Sequence, residues 1–182
     1  VADLSTCGVG SANNGGGTDN QEFTFPARAA TAGTYIYLAS ESPQFAAFFG
    51  FEPTYTNGAA NINGDDAIEL FCDGAVVDVF GDINVDGNGE PWEYLDGWAY
   101  RNVDTGPDGN SFVLGNWTFS GPNAFDGETN NTTAATPFPL KAFADEIDGG
   151  DTGGGSDGGT DPSSPCFNCP ELDPIADAST FD

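Results

Sequence analysis

Apolar and polar positions alternate with a period of two in several short runs, and glycine-rich turns separate those runs. Residues 21–25 alternate polar and aromatic side chains, and residues 34–39 are rich in aromatic and β-branched types. Two longer apolar runs, 67–72 and 75–80, flank Asp73-Gly74. Asp-Gly between two such runs predicts a tight hairpin, because a type I′ turn needs positive φ at both central residues. Residues 97–101, 112–114 and 117–119 read as further short strands. One helix is expected. Ser42 stands as its N-cap, Pro43 at its first position, Phe45, Phe48 and Phe49 on one face, and Gly50 just past its end. Many short strands, Gly-rich turns and one short helix predict an all-β fold, a sandwich or a barrel.

The pattern stops near residue 144. Residues 145–182 hold ten of the chain's 29 acidic residues and none of its three basic ones. Residues 148–161 are almost entirely Gly, Asp, Ser and Thr, the composition of a flexible, self-repelling linker with nothing to bury. The expected organisation is a folded unit over 1–144, a linker over 145–165 and a tail over 166–182. The tail's large apolar residues are Phe167, Leu172, Ile175 and Phe181. The 23 aromatic residues (15 Phe, five Tyr, three Trp) argue for a packed core despite the acidity. Val1 is not preceded by a basic, apolar leader, so the chain is expected to be a processed product or a fragment. No run approaches the ~20 apolar residues of a membrane helix, and no membrane insertion is expected.

Charge narrows the functions. The formal net charge is −26 and there is no His, so no imidazole is available as a base, proton shuttle or ligand. The three bases, Arg28, Arg101 and Lys141, are too few to follow a phosphate backbone, so no direct nucleic-acid binding is expected. Such acidity suits a protein in salty water outside the cell, where salt screens self-repulsion. Paired carboxylates for glycoside hydrolysis are conceivable among so many acids, but sequence spacing says nothing of their spatial separation. The chain is expected to be noncatalytic.

The sharpest local motif is Asp82-Ile83-Asn84-Val85-Asp86-Gly87-Asn88-Gly89-Glu90-Pro91-Trp92-Glu93, which fits D-x-[DN]-x-[DN]-G-x5-E. Its oxygens would come from Asp82, Asn84, Asp86, the Asn88 carbonyl, Glu90 and Glu93, and calcium is the candidate ion. A strand rather than a helix precedes it, and a solvated acidic turn is the competing reading. Asn61-Ile62-Asn63-Gly64-Asp65-Asp66 is a second acidic turn, able to cap, to pair or to join a metal site. Trp92, Tyr94, Trp98, Tyr100 and Trp117 could form a stacking platform for sugars or simply part of the core. Asn116, Asn130 and Asn131 open glycosylation sequons. Four cysteines in a chain of exported type favour disulfides. Cys166 and Cys169 form a lone CxxC, read as a structural disulfide or idle thiols, since zinc would lack two further ligands.

Several segments resemble the lamin-tail-type domains of secreted bacterial proteins. They are Gly8-Val9-Gly10-Ser11-Ala12, Gln21-Glu22-Phe23-Thr24-Phe25-Pro26, Ile36-Tyr37-Leu38-Ala39, Gly64-Asp65-Asp66-Ala67-Ile68-Glu69-Leu70, Trp98-Ala99-Tyr100-Arg101 and Trp117-Thr118-Phe119. The resemblance covers roughly residues 1–140. It implies an immunoglobulin-like β-sandwich without catalytic residues. Such modules sit in front of extracellular nuclease domains, after linkers of this kind, and residues 169–172 and 178–182 are similar to the approach to one. The family usually carries one or two strands before Asp3-Leu4-Ser5, so the sandwich is expected to expose an edge that another chain fills by strand addition. Cys7 and Cys72 depart from the family pattern. Both lie on or beside expected strands of one sandwich and are expected to pair.

Two functions follow as expectations. The first is a secreted, noncatalytic, calcium-stabilised module of structural or assembly role at a bacterial cell surface, in an adhesin, surface layer or filament. The second is an accessory or targeting module of an extracellular nuclease.

Overall fold

The computed structural model describes residues 2–141. The linker, the tail and the Cys166/Cys169 pair lie outside the described residues. The described part is β-rich, with antiparallel sheets and one helix, as the alternation predicts.

Its centre is a hairpin. β7 (Ala67–Cys72) and β8 (Ala75–Phe80) occupy the two runs that flank Asp73-Gly74. Asp73 and Gly74 have φ of 52° and 78°, the positive values a type I′ turn requires. β2 (Cys7–Ala12) pairs antiparallel with β7 from Cys7↔Cys72 to Ala12↔Ala67. β3 (Phe23–Thr24) adds to the far side of β2, giving the order β3-β2-β7-β8. Cys7 and Cys72 are joined by a disulfide across the β2–β7 ladder.

Period-two alternation does not single out β2, which carries two glycines. They are needed for close approach. A Cβ on Gly8 would lie 2.1 Å from the Phe23 carbonyl oxygen, and one on Gly10 would lie 2.0 Å from that of Asn20. The connector between β2 and β3 therefore lies directly on β2, which any larger residue would prevent.

β7 alternates cleanly, with Ala67, Glu69 and Phe71 buried and Ile68, Leu70 and Cys72 partly exposed. Register with β8 slips by one residue between Leu70 and Phe71, which leaves Val77 as the extra residue of a bulge. The bulge restores Val76 to the face of Val79, opposite Phe71 and Glu69. Ile68, Leu70, Asp78 and Phe80 form the other face.

The described residues also form three two-stranded sheets. β1 (Ala2–Asp3) pairs with β4 (Ala29–Ala30), and β9 (Ala99–Arg101) with β10 (Trp117–Phe119), both antiparallel. β5 (Leu38–Ala39) pairs in parallel with β6 (Tyr55–Thr56). The expected strands over 21–25 and 34–39 shrink to two residues each. The run 112–114 is not a strand. Phe112 turns inward against Phe80, whereas Val113 and Leu114 are 43% and 40% exposed, and Leu114–Asn116 closes a single 3-10 turn.

The helix α1 (Pro43–Phe49) has the expected bounds, with Gly50 in the left-handed conformation at its C-cap. Ser42 occupies the N-cap position but makes no side-chain capping bond. Its hydroxyl donates to Glu52 Oε2, and its backbone is already helical.

Aromatic rings fill the core. Phe80 meets Trp92, Tyr94, Phe112 and Trp117 at centroid distances of 4.8–6.1 Å. The face of α1 builds a second cluster in which Phe45, Phe49 and Phe51 pack with Tyr37, while Phe48 packs on Phe125. Each ring pair adds roughly 0.5–1.5 kcal/mol beyond area burial.

Candidate functional site

The acidic loop that follows β8 is built from short side-chain-to-backbone turns. Asp82 Oδ1 accepts the Asn84 N–H (2.9 Å) and Asp86 Oδ1 the Asn88 N–H (3.0 Å). Glu93 Oε2 accepts the Gly89 N–H (3.1 Å). These are the local bonds by which Asx residues organise turns. Trp92, 4% exposed, anchors the loop beneath Phe80, and the Gly87 N–H donates to the Asp65 carbonyl (3.0 Å). Asp82, Asn84, Asp86, Asn88 and Glu90 are exposed, and Glu93 is half-buried. Among the described residues, no group of three His, Cys, Asp or Glu side chains is arranged to hold a metal ion. The six residues Asp82, Asn84, Asp86, Asn88, Glu90 and Glu93 share this one loop.

The neighbouring turn faces this loop. Asp66 is buried and accepts the Asn14 N–H (2.9 Å) and the Asn63 N–H (3.2 Å). Asp65 differs: its Oδ1 is buried without a hydrogen-bond partner among the described residues. Burial, then the Asp66, Asp86 and Glu93 carboxylates, raise its pKa above the usual carboxylate value. The Tyr94 hydroxyl donates to the Asp66 carbonyl (3.0 Å), and burial together with the two Asp charges pushes its pKa up.

The five aromatic residues of 92–117 divide between separate packing roles. Trp92 and Tyr94 lie in the Phe80 cluster. Trp98 stacks on Tyr100 (5.7 Å), and its Nε1–H donates to the Thr136 carbonyl (2.9 Å). Trp117 lies under the Arg101 guanidinium at 4.4 Å. Arg101 is the main electrostatic node, and sequence reasoning missed it. Its guanidinium binds Asp78 on β8, and Asp108 at 2.8 Å. The Arg101 and Asn116 hydrogen bonds hold Asp108 below the usual carboxylate value. The available signal was scarcity: each base in this chain stands among many acids.

Arg101 also borders an open, mainly apolar cleft of about 630 Å³. Tyr35, Tyr37, Leu70, Tyr100, Trp117 and Phe138 form its walls, and Lys141 stands at its margin. Two of the chain's three basic residues therefore line one cleft. Outside its ladder with β7, the neighbouring strand β8 receives the Gly109 N–H at the Val77 carbonyl (3.1 Å).

Among the sequons, Asn131 is 7% exposed, and its side-chain amide bonds the backbone of Phe138 as both donor and acceptor. The Asn116 amide donates to Asp108 Oδ2 (2.8 Å). Among the described residues, no helix is long and apolar enough to cross a membrane. Comparison with protein-family models, with curated proteins and with solved structures returns no match.

Proposed function

We propose that this chain is a secreted, noncatalytic module of immunoglobulin-like, lamin-tail type that assembles at a bacterial cell surface by strand addition. The observation that carries the reading is the apolar cleft with its two cations, set against the face of Leu70 and Asp78 beside edge strand β8. The occupant that suits it is the tail of a neighbouring copy. That tail combines large apolar residues with acids and no bases, so it complements the apolar walls and Lys141 at the margin, the Arg101 guanidinium being taken by Asp78 and Asp108. Flat faces of a chain at −26 repel one another, whereas an added strand binds through backbone hydrogen bonds and inserted side chains. The disulfide fits an oxidising compartment. Calcium belongs to this reading as a stabiliser, and its site is argued below. The nuclease-accessory reading rests on the Gly/Asp-rich composition of residues 148–161, which suits a tether between domains.

Light scattering of the full-length protein, and of a variant lacking residues 150–182, tests the assembly. The full chain should associate at moderate salt and high concentration, and the truncated chain should be monomeric. A full chain that stays a compact monomer overturns the assembly reading and favours the accessory module.

A further inference from the structure

Glu69 sits in the middle of the most central strand, between Gly10 of β2 and Val79 of β8. It is 3% exposed, and its Oε2 has no hydrogen-bond partner among the described residues. Period-two patterning puts it on the buried face with Ala67 and Phe71, where an apolar residue would ordinarily stand. A buried, unpartnered carboxylate is costly unless it is protonated or meets a cation. None of the chain's three bases lines the space in front of it.

That space is a cavity of about 620 Å³ over the Phe71–Val79 face. Three separate segments border it with oxygen-bearing side chains. Thr18 and Asn20 come from the connector that lies on Gly10, Asp82 and Asn84 from the turn after β8, and Asn110 from the segment before Phe112. Asp82 uses one carboxylate oxygen on the Asn84 N–H and retains the other. The lining contains no His or Cys, so it offers hard oxygen donors only. Two carboxylates, three amide oxygens and a hydroxyl match the six to eight oxygens that calcium takes. Side chains contributed by three segments suit calcium's flexible coordination better than the near-ideal octahedron of magnesium, and the volume leaves room for water ligands.

We propose that the cavity over Glu69 is a calcium site, with the Glu69 and Asp82 carboxylates as its charged ligands. It deepens the calcium part of the reading above. It differs from the 82–93 loop set because it turns on Glu69, which that motif does not contain. Bound calcium would tie the β2–β3 connector and the turn after β8 to the middle of the sheet.

The test uses the full-length protein, with calcium chloride as the probe, titrated by calorimetry and by thermal melting at constant ionic strength. Magnesium chloride and sodium chloride serve as controls. One calcium should bind and raise the Tm where the controls do not. Glu69→Gln keeps the volume, removes the charge, and should weaken binding by at least ~10-fold while raising the Tm measured in chelator. That rise also establishes that the variant is folded. Asp86→Asn, a change in the loop outside the cavity, should leave calcium binding intact. No calcium-specific heat or Tm rise overturns the proposal. So does a response that survives Glu69→Gln, or one that is lost with Asp86→Asn. Every melt and titration is run at one fixed protein concentration and repeated on the variant lacking residues 150–182, so assembly is held constant and the two proposals fail separately.

Discussion

The disulfide gives the most direct quantitative test of the fold. Cys7 and Cys72 close a loop of 65 residues between β2 and β7, the two strands on which the central sheet depends. In the chain-entropy model, closing a loop of that length stabilises the folded state by about 4 kcal/mol at 25 °C, through the freedom it removes from the unfolded chain. Over ~140 residues the unfolding entropy is about 0.3 kcal/mol per degree, so losing the bond should lower the Tm by roughly 10–15 °C. The double variant Cys7→Ala/Cys72→Ala is the right perturbation. A reducing agent would also act on Cys166 and Cys169, and a single variant would leave a reactive thiol. Urea unfolding should show a lower midpoint together with a steeper slope, because the uncrosslinked unfolded chain exposes more surface. A Tm fall below about 3 °C, equivalent to less than ~1 kcal/mol, refutes the argument, as do two alkylatable thiols at these positions in the folded protein.

Arg101→Ala should lower the urea midpoint, because it strands the Asp78 and Asp108 carboxylates and uncovers Trp117. Arg101→Lys should recover part of the loss, since an ammonium cannot fork to two carboxylates; an unchanged midpoint for the Ala variant refutes the role. Gly10→Val should cost at least ~1–3 kcal/mol in urea unfolding, because its side chain meets the Asn20 backbone; near-native stability would show that the connector does not lie on β2. Asp65 has a raised folded pKa, so it binds its proton more tightly when folded. Its contribution to stability is greatest below its unfolded value of 3.8 and falls as pH rises through the folded value. Asp65→Asn should therefore raise the midpoint at pH 7 and flatten its pH slope just above pH 4; a lowered midpoint at pH 7 would count against it. Asp108 has the opposite sign, its contribution being present above 3.8 and lost as pH falls.

Where local pattern and local need coincide, the sequence is readable. The β7–β8 hairpin, the bounds of α1 and the β10 strand follow from alternation, Asp-Gly turn chemistry, Pro43 and Gly50, none of which depends on a distant contact. β2 is the instructive failure. Gly8 and Gly10 lower its strand propensity, yet they are required because a connector from farther along the chain lies on them. The reason for those glycines is tertiary, so no window of sequence contains it. The run 112–114 fails the other way. Its residues favour strands, but only Phe112 finds the core. Ser42 has the right identity for a cap, but its hydroxyl goes to Glu52, ten residues on.

The same distinction separates the acidic loop from Glu69. A chain with 29 acids and three bases cannot balance its carboxylates with side-chain cations, and its turns use backbone N–H groups instead. Asp3 accepts from Ser5, Glu22 from Ser11, Asp66 from Asn14 and Asn63, and Glu128 from Ala135. Asp82, Asp86 and Glu93 do the same within their own loop. Asp and Asn at alternate positions followed by Gly is what such turns look like in sequence, so a calcium-loop pattern in this chain carries less information than it would elsewhere. Glu69 has no comparable recourse. It lies mid-strand with a ladder on each side, where the backbone N–H groups serve β2 and β8. The local backbone offers that carboxyl no N–H to accept, and the cavity in front of it is where a balancing cation has room to enter.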